Sequence, residues 1–393
     1  MKKIKIGMIG WIVIAILTGA ASGFAFTHLG ATGQVCLRVF KTFNVLFAQI
    51  LKFIVPLLIL GLVTPAIASA GKGAGKLLGF VMVFSYLSTC AAAFFGYFAA
   101  GRLLPLYLAK GAVAAANDAA KLLPYVDIKI PAVCDVLTAL VLAFMVGVGI
   151  VVVNAERLKY AAEEFAAIVT LTIRRVIIPG IPIYIMTMIC EMTASGKIAA
   201  MAGTMVKVIG TGWALTIVFL VLLYAAAGAI ARKNPLRCLW NMVPAYLTGF
   251  SIASSSAAIP VTLGCCEKNG ISRDIRDFVV PLCANIHMVG SAIKLMASTL
   301  ATAIIFGIDL PLPQIVHFNF MFAIAAVAAP GVMCGVLMAS VGFLDSILGL
   351  TPDQIAVVMT LYMALDGYGP AANVTGDGAV ALAADSFFSG RRT

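Results

Sequence analysis

Long apolar stretches, separated by short polar segments, follow one another from the start of the chain to its end. A membrane-spanning helix needs about 20 apolar residues, and eight of the stretches are long enough. They cover residues 7–27, 42–69, 77–101, 132–153, 164–190, 203–231, 276–307 and 352–386. The pattern therefore predicts an all-α polytopic membrane protein with eight transmembrane helices.

Two further apolar stretches, at 237–268 and 313–350, are interrupted by small residues and proline. The first splits at 254–260 (Ser-Ser-Ser-Ala-Ala-Ile-Pro) and the second at 328–331 (Ala-Ala-Pro-Gly). Each half is too short to cross a bilayer alone, and non-helical backbone at membrane depth needs cover from protein or water. We expect two re-entrant hairpins, each followed by a full span, with two proline-kinked helices as the alternative. Such paired interruptions point to a binding site near the membrane midplane.

Composition supports a membrane protein, since 62% of the residues are hydrophobic and 11% are charged. The net charge of +11 gathers in short loops, where Lys and Arg set membrane orientation, so we expect lipid rather than nucleic acid as the surrounding partner. We expect the first stretch to be a retained span and not a signal peptide. The basic loops favour a cell (inner) membrane protein with both termini in the cytoplasm. The external 102–131 loop holds no motif that we can interpret.

Several kinds of chemistry find no support in the sequence. Nine cysteines form no Cys-x-x-Cys pair and only three histidines are present, so we expect no metal cluster and no cofactor. There is no Gly-x-x-x-x-Gly-Lys-Ser/Thr loop for ATP. No spacing of serine, histidine and aspartate favours a serine nucleophile. We therefore expect a protein that is not an enzyme.

The last span, 352–386, carries two carboxylates that are costly inside a membrane. Asp366, Asn373 and Asp377 would share one face of a continuous helix, and the glycines and proline between them should free carbonyl groups beside that face. Carboxylates, an amide and carbonyls suit an ammonium group and a small hard cation. The alternative is a polar seam that holds helices together.

Span 276–307 also contains ionisable residues. His287 and Lys294 lie seven residues apart and share a helical face, so His287 is a plausible proton carrier. Alternatively, His287 is a packing residue and Lys294 extends to a membrane edge. In span 77–101 a small polar cluster comprises Tyr86, Ser88, Thr89 and Cys90.

Three segments together resemble the glutamate transporter homologue family, the dicarboxylate/amino acid:cation symporters. They are the serine-rich segment 254–260, Pro-Leu-Cys-Ala-Asn-Ile-His-Met-Val-Gly at 281–290, and Asn-Val-Thr-Gly-Asp at 373–377. The resemblance covers essentially the whole chain. It implies a homotrimeric elevator-type transporter with inverted repeats. Residues 1–69 and 132–195 would form the scaffold, 77–101 and 200–393 the moving transport domain, and the two hairpins would close the site from inside and outside.

The resemblance also implies roles for single residues. Asp366 looks like the ligand of the substrate amine and Asn373 like the ligand of the α-carboxylate. The substrate-contacting set further includes Ser254, Ser255, Ser291 and Gly369. The cation-binding set comprises Asp377, Asn373, Met288, Cys283, Tyr86 and Thr89, with a Na⁺ site at Asp377 and Asn373.

Two departures from the family pattern bear on substrate and coupling. Acidic-substrate members place an arginine at one of two positions, which here are Gly369 and Ala253. We therefore expect a small neutral substrate such as serine, threonine or alanine. An acidic amino acid or dicarboxylate bound through Lys294 is the alternative, and an anion-conducting channel is the alternative of a different class.

The second departure replaces the family's Asn-Met-Asp-Gly by His-Met-Val-Gly at 287–290. Val289 cannot ligate a cation, so we expect that one sodium site is lost. Lys294 or protonated His287 would supply the missing positive charge. Coupling would then use sodium, protons or both.

Overall fold

The computed structural model describes residues 8–70, 75–111, 123–126, 128–134, 136–196, 198–328, 335–364 and 367–389. Within these ranges every regular element is a helix, which confirms the all-α prediction. In chain order the α-helices are α1 (Met8–His28), α2 (Gly30–Ala70), α3 (Gly75–Leu103), α4 (Val136–Val152), α5 (Glu156–Thr172), α6 (Ile178–Ala194), α7 (Ile198–Ala231), α8 (Pro235–Asn241), α9 (Val243–Ile252), α10 (Ser255–Lys268), α11 (Arg273–Ile286), α12 (Val289–Phe306), α13 (Leu312–Ala328), α14 (Gly335–Ser346), α15 (Pro352–Met363) and α16 (Tyr368–Phe388).

Helices α1, α2, α4, α5 and α6 pack on one another and form what we call the first bundle. A π-helical turn, Ile173–Ile177, joins α5 to α6 in one continuous helix. Helix α1 lies against α6 at glycines: a methyl group on Gly19 would sit 2.5 Å from the Met186 carbonyl oxygen, and one on Gly23 would sit 2.4 Å from that of Cys190. Small residues thus permit the close backbone approach that helix pairs in membranes use.

Helices α3, α7 to α12, α15 and α16 form the second bundle, with α16 at its centre. Side chains from Tyr368 to Ala384 are buried almost without exception, as expected of a helix covered on all sides. The Tyr224 hydroxyl of α7 donates a 2.8 Å hydrogen bond to the Thr375 carbonyl oxygen of α16. Helices α13 and α14 pack on each other and touch both bundles.

The interrupted stretch 237–268 is divided at its serines and not at its proline. Helix α9 ends at Ile252, Ala253 takes a left-handed conformation (φ +53°), and extended Ser254 begins α10 by accepting a 3.4 Å hydrogen bond from the Ala257 N–H. Pro260 lies inside α10. Helices α9 and α10 pack against each other, whereas the middle of the second interruption, 329–334, lies outside the described residues.

Two of the predicted spans are each divided into two helices. The first division corrects the sequence interpretation, whereas glycine and proline had already indicated a loosened helix in the second. Stretch 276–307 is divided at His287 and Met288 between α11 and α12. Stretch 352–386 is divided between α15 and α16, whose axes differ by 64°. Pro370, the third residue of α16, cannot donate the N–H that a helix continuing from α15 would need there. A methyl group on Gly367 would lie 2.3 Å from the Phe250 carbonyl oxygen. Asp366 falls in this break, outside the described residues, so the shared helical face is observed only for Asn373 and Asp377.

Four helical stretches in the described ranges are long and apolar enough to span a membrane, and the last of them contains the break between α11 and α12. They are Lys76–Leu106, Glu156–Ala194, Gly203–Ala231 and Arg273–Phe306, and the bent pair α15 and α16 makes a fifth if counted as one span. Shorter apolar helices accompany them, among them Val243–Ile252 and Gly335–Ser346.

Candidate functional site

The side-chain amide of Asn373 sits against the break between α11 and α12. Its Oδ1 accepts hydrogen bonds from the backbone N–H groups of Gly290 (2.8 Å) and Ser291 (3.2 Å), which begin α12. Its Nδ2 donates to the Ser291 hydroxyl (3.0 Å) and to the Met288 sulfur (3.2 Å). First-turn N–H groups have no partner within their own helix, so Asn373 caps α12 from a neighbouring helix. The amide is 1% exposed.

One turn further along α16, Asp377 meets His287. The His287 Nδ1 lies 3.1 Å from Asp377 Oδ1, and its Nε2 lies 2.9 Å from the Ser88 hydroxyl. A carboxylate only accepts, so Nδ1–H donates to it. In the neutral ring Nε2 accepts the Ser88 hydrogen. If that hydrogen instead goes to the Phe84 carbonyl oxygen, 2.7 Å away, Nε2–H donates to Ser88 and the ring is charged.

The second carboxylate oxygen of Asp377 remains unused. Asp377 is fully buried, and its Oδ2 has no hydrogen-bond partner among the described residues. Buried polar atoms are nearly always partnered. The Oδ2 atom is therefore an oxygen available to a cation.

Helix α3 covers the α11–α12 break with its polar cluster. The Thr89 hydroxyl accepts a 3.2 Å hydrogen bond from the Met288 N–H. The Ser85 hydroxyl lies 3.8 Å from the buried Cys283 sulfur. Tyr86 is half-buried and bonds to the Cys90 thiol of its own helix. Of this cluster, Thr89 and Ser88 reach the break directly.

A fully buried ammonium lies at the other break. The Lys294 Nζ is 3.9 Å from the centre of the Tyr362 ring and 5.3 Å from that of Tyr368, so one ring lies on each side of the break. A ring face attracts a desolvated cation by about 2 kcal/mol or more. The burial of Lys294 contradicts the alternative in which it extends to a membrane edge.

Position 369 adjoins this lysine. A methyl group on Gly369 would lie 3.4 Å from the Lys294 Cδ and 3.4 Å from the Ser291 hydroxyl oxygen, which is ordinary contact. The lysine stem therefore fills the space into which a longer side chain at 369 would extend. Ser291 links the two breaks, because its hydroxyl also accepts from Asn373.

The tip between α9 and α10 approaches the same region. Phe250, near the end of α9, lies against Gly367. Ser255 is buried at the start of α10, and the Ser256 hydroxyl donates to the Asn285 side chain of α11 at 3.4 Å. The tip thus lies between the last span and α11.

With this geometry in place, comparison with known proteins is decisive. A family model described as the sodium:dicarboxylate symporter family matches residues 8–387. The chain belongs to this family. The family consists of symporters rather than enzymes and uses Na⁺ as coupling ion. Together with the apolar helices, this membership makes the chain an integral membrane protein.

Matches to individual proteins cover a smaller part of the chain than the family match does. The chain is similar to excitatory amino acid transporter 3 from Mus musculus, with 35% identity over 149 residues (38% of this chain, 28% of that protein). The Homo sapiens protein of the same name is 34% identical over 169 residues (42% of this chain, 32% of that protein). The matched segment spans less than a third of each relative's length.

The structure brings together most residues that the sequence singled out. Around the α11–α12 break lie Asn373, Asp377, His287, Met288, Ser291 and Thr89, with Lys294 and Gly369 next to Ser291. Tyr86 and Cys283 stand at the edge of this group. Asp366 and the middle of the second interruption lie outside the described residues.

Sequence reasoning missed both tyrosines that hold Lys294 and the specific role of Ser88. A usable signal existed for the tyrosines, since a lysine inside an apolar span needs a partner and Tyr362 and Tyr368 flank a glycine-rich break.

Proposed function

We propose that this family member is a secondary active symporter that imports small neutral amino acids by an elevator mechanism. One observation carries the proposal: Asn373 and Asp377, on one face of α16, meet a broken helix at full burial. Discontinuous helices near the midplane are a recurrent way to present backbone groups and carboxylates to substrate and cation in transporters.

The elevator is supported by the grouping of helices. Residues 77–101 and 200–393 would move as the transport domain against a scaffold of 1–69 and 132–195. The helices of the first bundle fall in the proposed scaffold ranges and those of the second in the transport ranges, apart from one or two residues at the ends of α2, α3 and α7. Eight spans, two re-entrant hairpins, a homotrimer and an inner-membrane location with cytoplasmic termini complete the proposal and rest on the family resemblance and the loop charges.

A neutral substrate is favoured by the two places where an arginine is missing. Gly369 has no side chain, and Ala253 at the α9–α10 tip offers only a methyl group. No guanidinium is available there for a bidentate contact with a side-chain carboxylate. Asp366 would hold the amine, Asn373 the α-carboxylate, and the serines a small hydroxylated side chain.

The surroundings of Asp377 favour sodium coupling with one sodium site fewer than the family pattern has. Its Oδ1 is taken by the imidazole of His287, and Oδ2 is left for a single cation. Val289 is buried and offers no ligand. Sodium would bind at Asp377 and Asn373, the basic side chains would replace the lost ion, and protons would be the further coupling ion.

An acidic substrate is the second candidate, and the position of Lys294 favours it. Its buried stem passes beside Gly369, and its ammonium lies over the Tyr362 ring, close to the positions where the substrate side chain is proposed to lie. In this version Lys294 binds the second carboxylate of an acidic amino acid or dicarboxylate.

Uptake into proteoliposomes tests these assignments. Serine, alanine, threonine and aspartate would each be offered under a sodium gradient alone and under a proton gradient alone. We expect saturable neutral amino acid uptake that needs fewer sodium ions than the full family complement and that shows counter-exchange. Aspartate uptake with full sodium dependence would overturn both the neutral substrate and the lost site, and non-saturating anion current without exchange would indicate a channel.

A matched pair of variants guards against misfolding. Lys294→Met should abolish aspartate uptake in the acidic version. In the neutral version serine should still be the preferred substrate, but the sodium and proton dependence of its uptake should change, because Lys294 is one of the basic side chains proposed to replace the lost ion. Ser346→Ala, at an exposed helix end, should alter neither.

A further inference from the structure

A charged cluster joins the two bundles away from the proposed substrate site. The Lys41 ammonium of α2 lies 2.9 Å from Glu191 Oε1 on α6 and 3.4 Å from Asp353 Oδ2 on α15. Beside it the Tyr184 hydroxyl donates a 3.4 Å hydrogen bond to the Pro352 carbonyl oxygen. One lysine thus binds a carboxylate from each bundle.

The two carboxylates are not equivalent. Lys41 and Glu191 both belong to the first bundle, and their side chains are 15% and 27% exposed, so their contact survives any motion between bundles. Asp353 belongs to the second bundle and is 66% exposed. If Asp353 leaves, Lys41 keeps a counter-ion and Asp353 is readily hydrated. Release of Asp353 therefore leaves no buried charge without a counter-ion. A buried charge without a counter-ion would be strongly destabilising.

The space around the lysine suits such a release. A cavity of about 70 Å³ lies at the seam, lined by Lys41, Asn44, Val45, Gln49, Tyr184, Pro352 and Asp353. A cavity of this size with polar walls has room for water. Water can thus reach the Lys41–Asp353 contact and replace it.

The cluster also lies next to the second interrupted segment. Asp353 follows α14 after a short connection, and both α13 and α14 pack on α2. The ion pair between Lys41 and Asp353 therefore holds the start of α15, the helix that follows α13 and α14, against the first bundle.

We propose that Lys41 and Asp353 form a releasable clasp that holds the α13–α14 pair and α15 against the first bundle, while Glu191 keeps Lys41 neutralised in both positions. This clasp rests on the proposed elevator motion. It favours the conformation described here and opens when the second bundle moves.

Distances between the bundles in the full chain, reconstituted in proteoliposomes, test the clasp. Spin-labelled non-canonical residues at Val39 on α2 and Ser346 at the end of α14 leave the native cysteines untouched, and pulsed electron resonance gives the populations. We expect Asp353→Asn to reduce the short-distance population relative to the long one by about two- to fivefold, the range for a partly exposed ion pair. Asp353→Lys should reduce it further, and Asp353→Glu should restore it.

Asp309→Asn supplies the matched control. It removes the exposed Lys110–Asp309 ion pair, 2.8 Å long, and should leave the populations unchanged. Unchanged populations in both Asp353→Asn and Asp353→Lys would overturn the clasp and leave the elevator standing. A single distance in the unaltered chain, whatever the sodium or substrate, would overturn the elevator itself and the clasp with it.

Discussion

The two broken spans meet at Ser291 but are built from different interactions. At the α11–α12 break, backbone N–H groups are bound by the side chain of Asn373, and Thr89 binds the N–H of Met288. At the α15–α16 break, glycine and proline interrupt the helix, and a buried ammonium lies between aromatic rings. The first break is fixed by hydrogen bonds from side chains to backbone N–H groups, whereas at the second a buried cation lies against aromatic ring faces. A hydrogen-bonded frame thus lies beside a buried positive charge.

The largest effect should come from removing the frame's central amide. Asn373→Ala leaves the N–H groups of Gly290 and Ser291 buried without their acceptor. At about 1–3 kcal/mol for each of the two unsatisfied groups, we expect a loss of about 2–6 kcal/mol in the free energy of unfolding and no transport. Denaturant unfolding in detergent and proteoliposome uptake measure the two.

The control for this change lies on the same helix. Thr375 donates only to the Ala371 carbonyl oxygen within α16, so Thr375→Ala should cost far less. Equal losses in both variants would show that Asn373 does not fix the α11–α12 break.

A smaller loss of stability should follow from a substitution at Gly290 that pushes α12 and α16 apart. A methyl group on Gly290 would lie 2.4 Å from the Gly369 carbonyl oxygen and 2.5 Å from the Ala372 Cβ, so Gly290→Ala must push α12 and α16 apart. Overpacking of this kind costs about 1–3 kcal/mol, and we expect weakened substrate binding with it. Thermal unfolding and binding titration test this. Gly210→Ala in α7, with open space around it, should be neutral or stabilising, and a matching loss there would contradict the explanation.

The smallest effect should come from moving the positive charge within the second break. Gly369→Arg alone places a guanidinium against the Lys294 stem, so we expect little gain in aspartate affinity. When Gly369→Arg is combined with Lys294→Met, the lysine ammonium no longer competes with the guanidinium. We then expect about a tenfold gain in aspartate affinity, equivalent to about 1.4 kcal/mol. Competition of aspartate against labelled serine measures it. No gain in the double variant would argue against placing the substrate side chain at position 369.

Much of this comparison could be predicted from the sequence, and the reasons differ by residue. Asn373 and Asp377 stand four apart in an apolar stretch, so their common face followed from helical periodicity. The glycines and Pro370 marked the place where the last span breaks. A lysine inside an apolar span needs a partner, and Tyr362 and Tyr368 beside the glycine-rich break were candidates. The distances of these contacts could not be predicted, because packing between distant helices leaves no local pattern.

The α11–α12 break shows the opposite case. Apolar residues continue through 276–307, and neither glycine nor proline occupies 287–288. The interruption depends on Asn373 and Thr89, which lie far away in sequence and replace the helical hydrogen bonds. Local propensity therefore predicted a continuous span, and tertiary contacts overrode it.

The buried ammonium of Lys294 also bears on how the chain is made. Synthesis proceeds from the N-terminus, so α12 enters the bilayer before Tyr362 and Tyr368 exist. A lysine at the centre of a helix raises the free energy of membrane insertion by about 2.5–3.5 kcal/mol on translocon scales. Insertion of α12 is therefore less favourable than its apolar residues alone would give, until the end of the chain supplies the two rings. Arrival of the last span thus adds to the stability of a helix that was inserted before it.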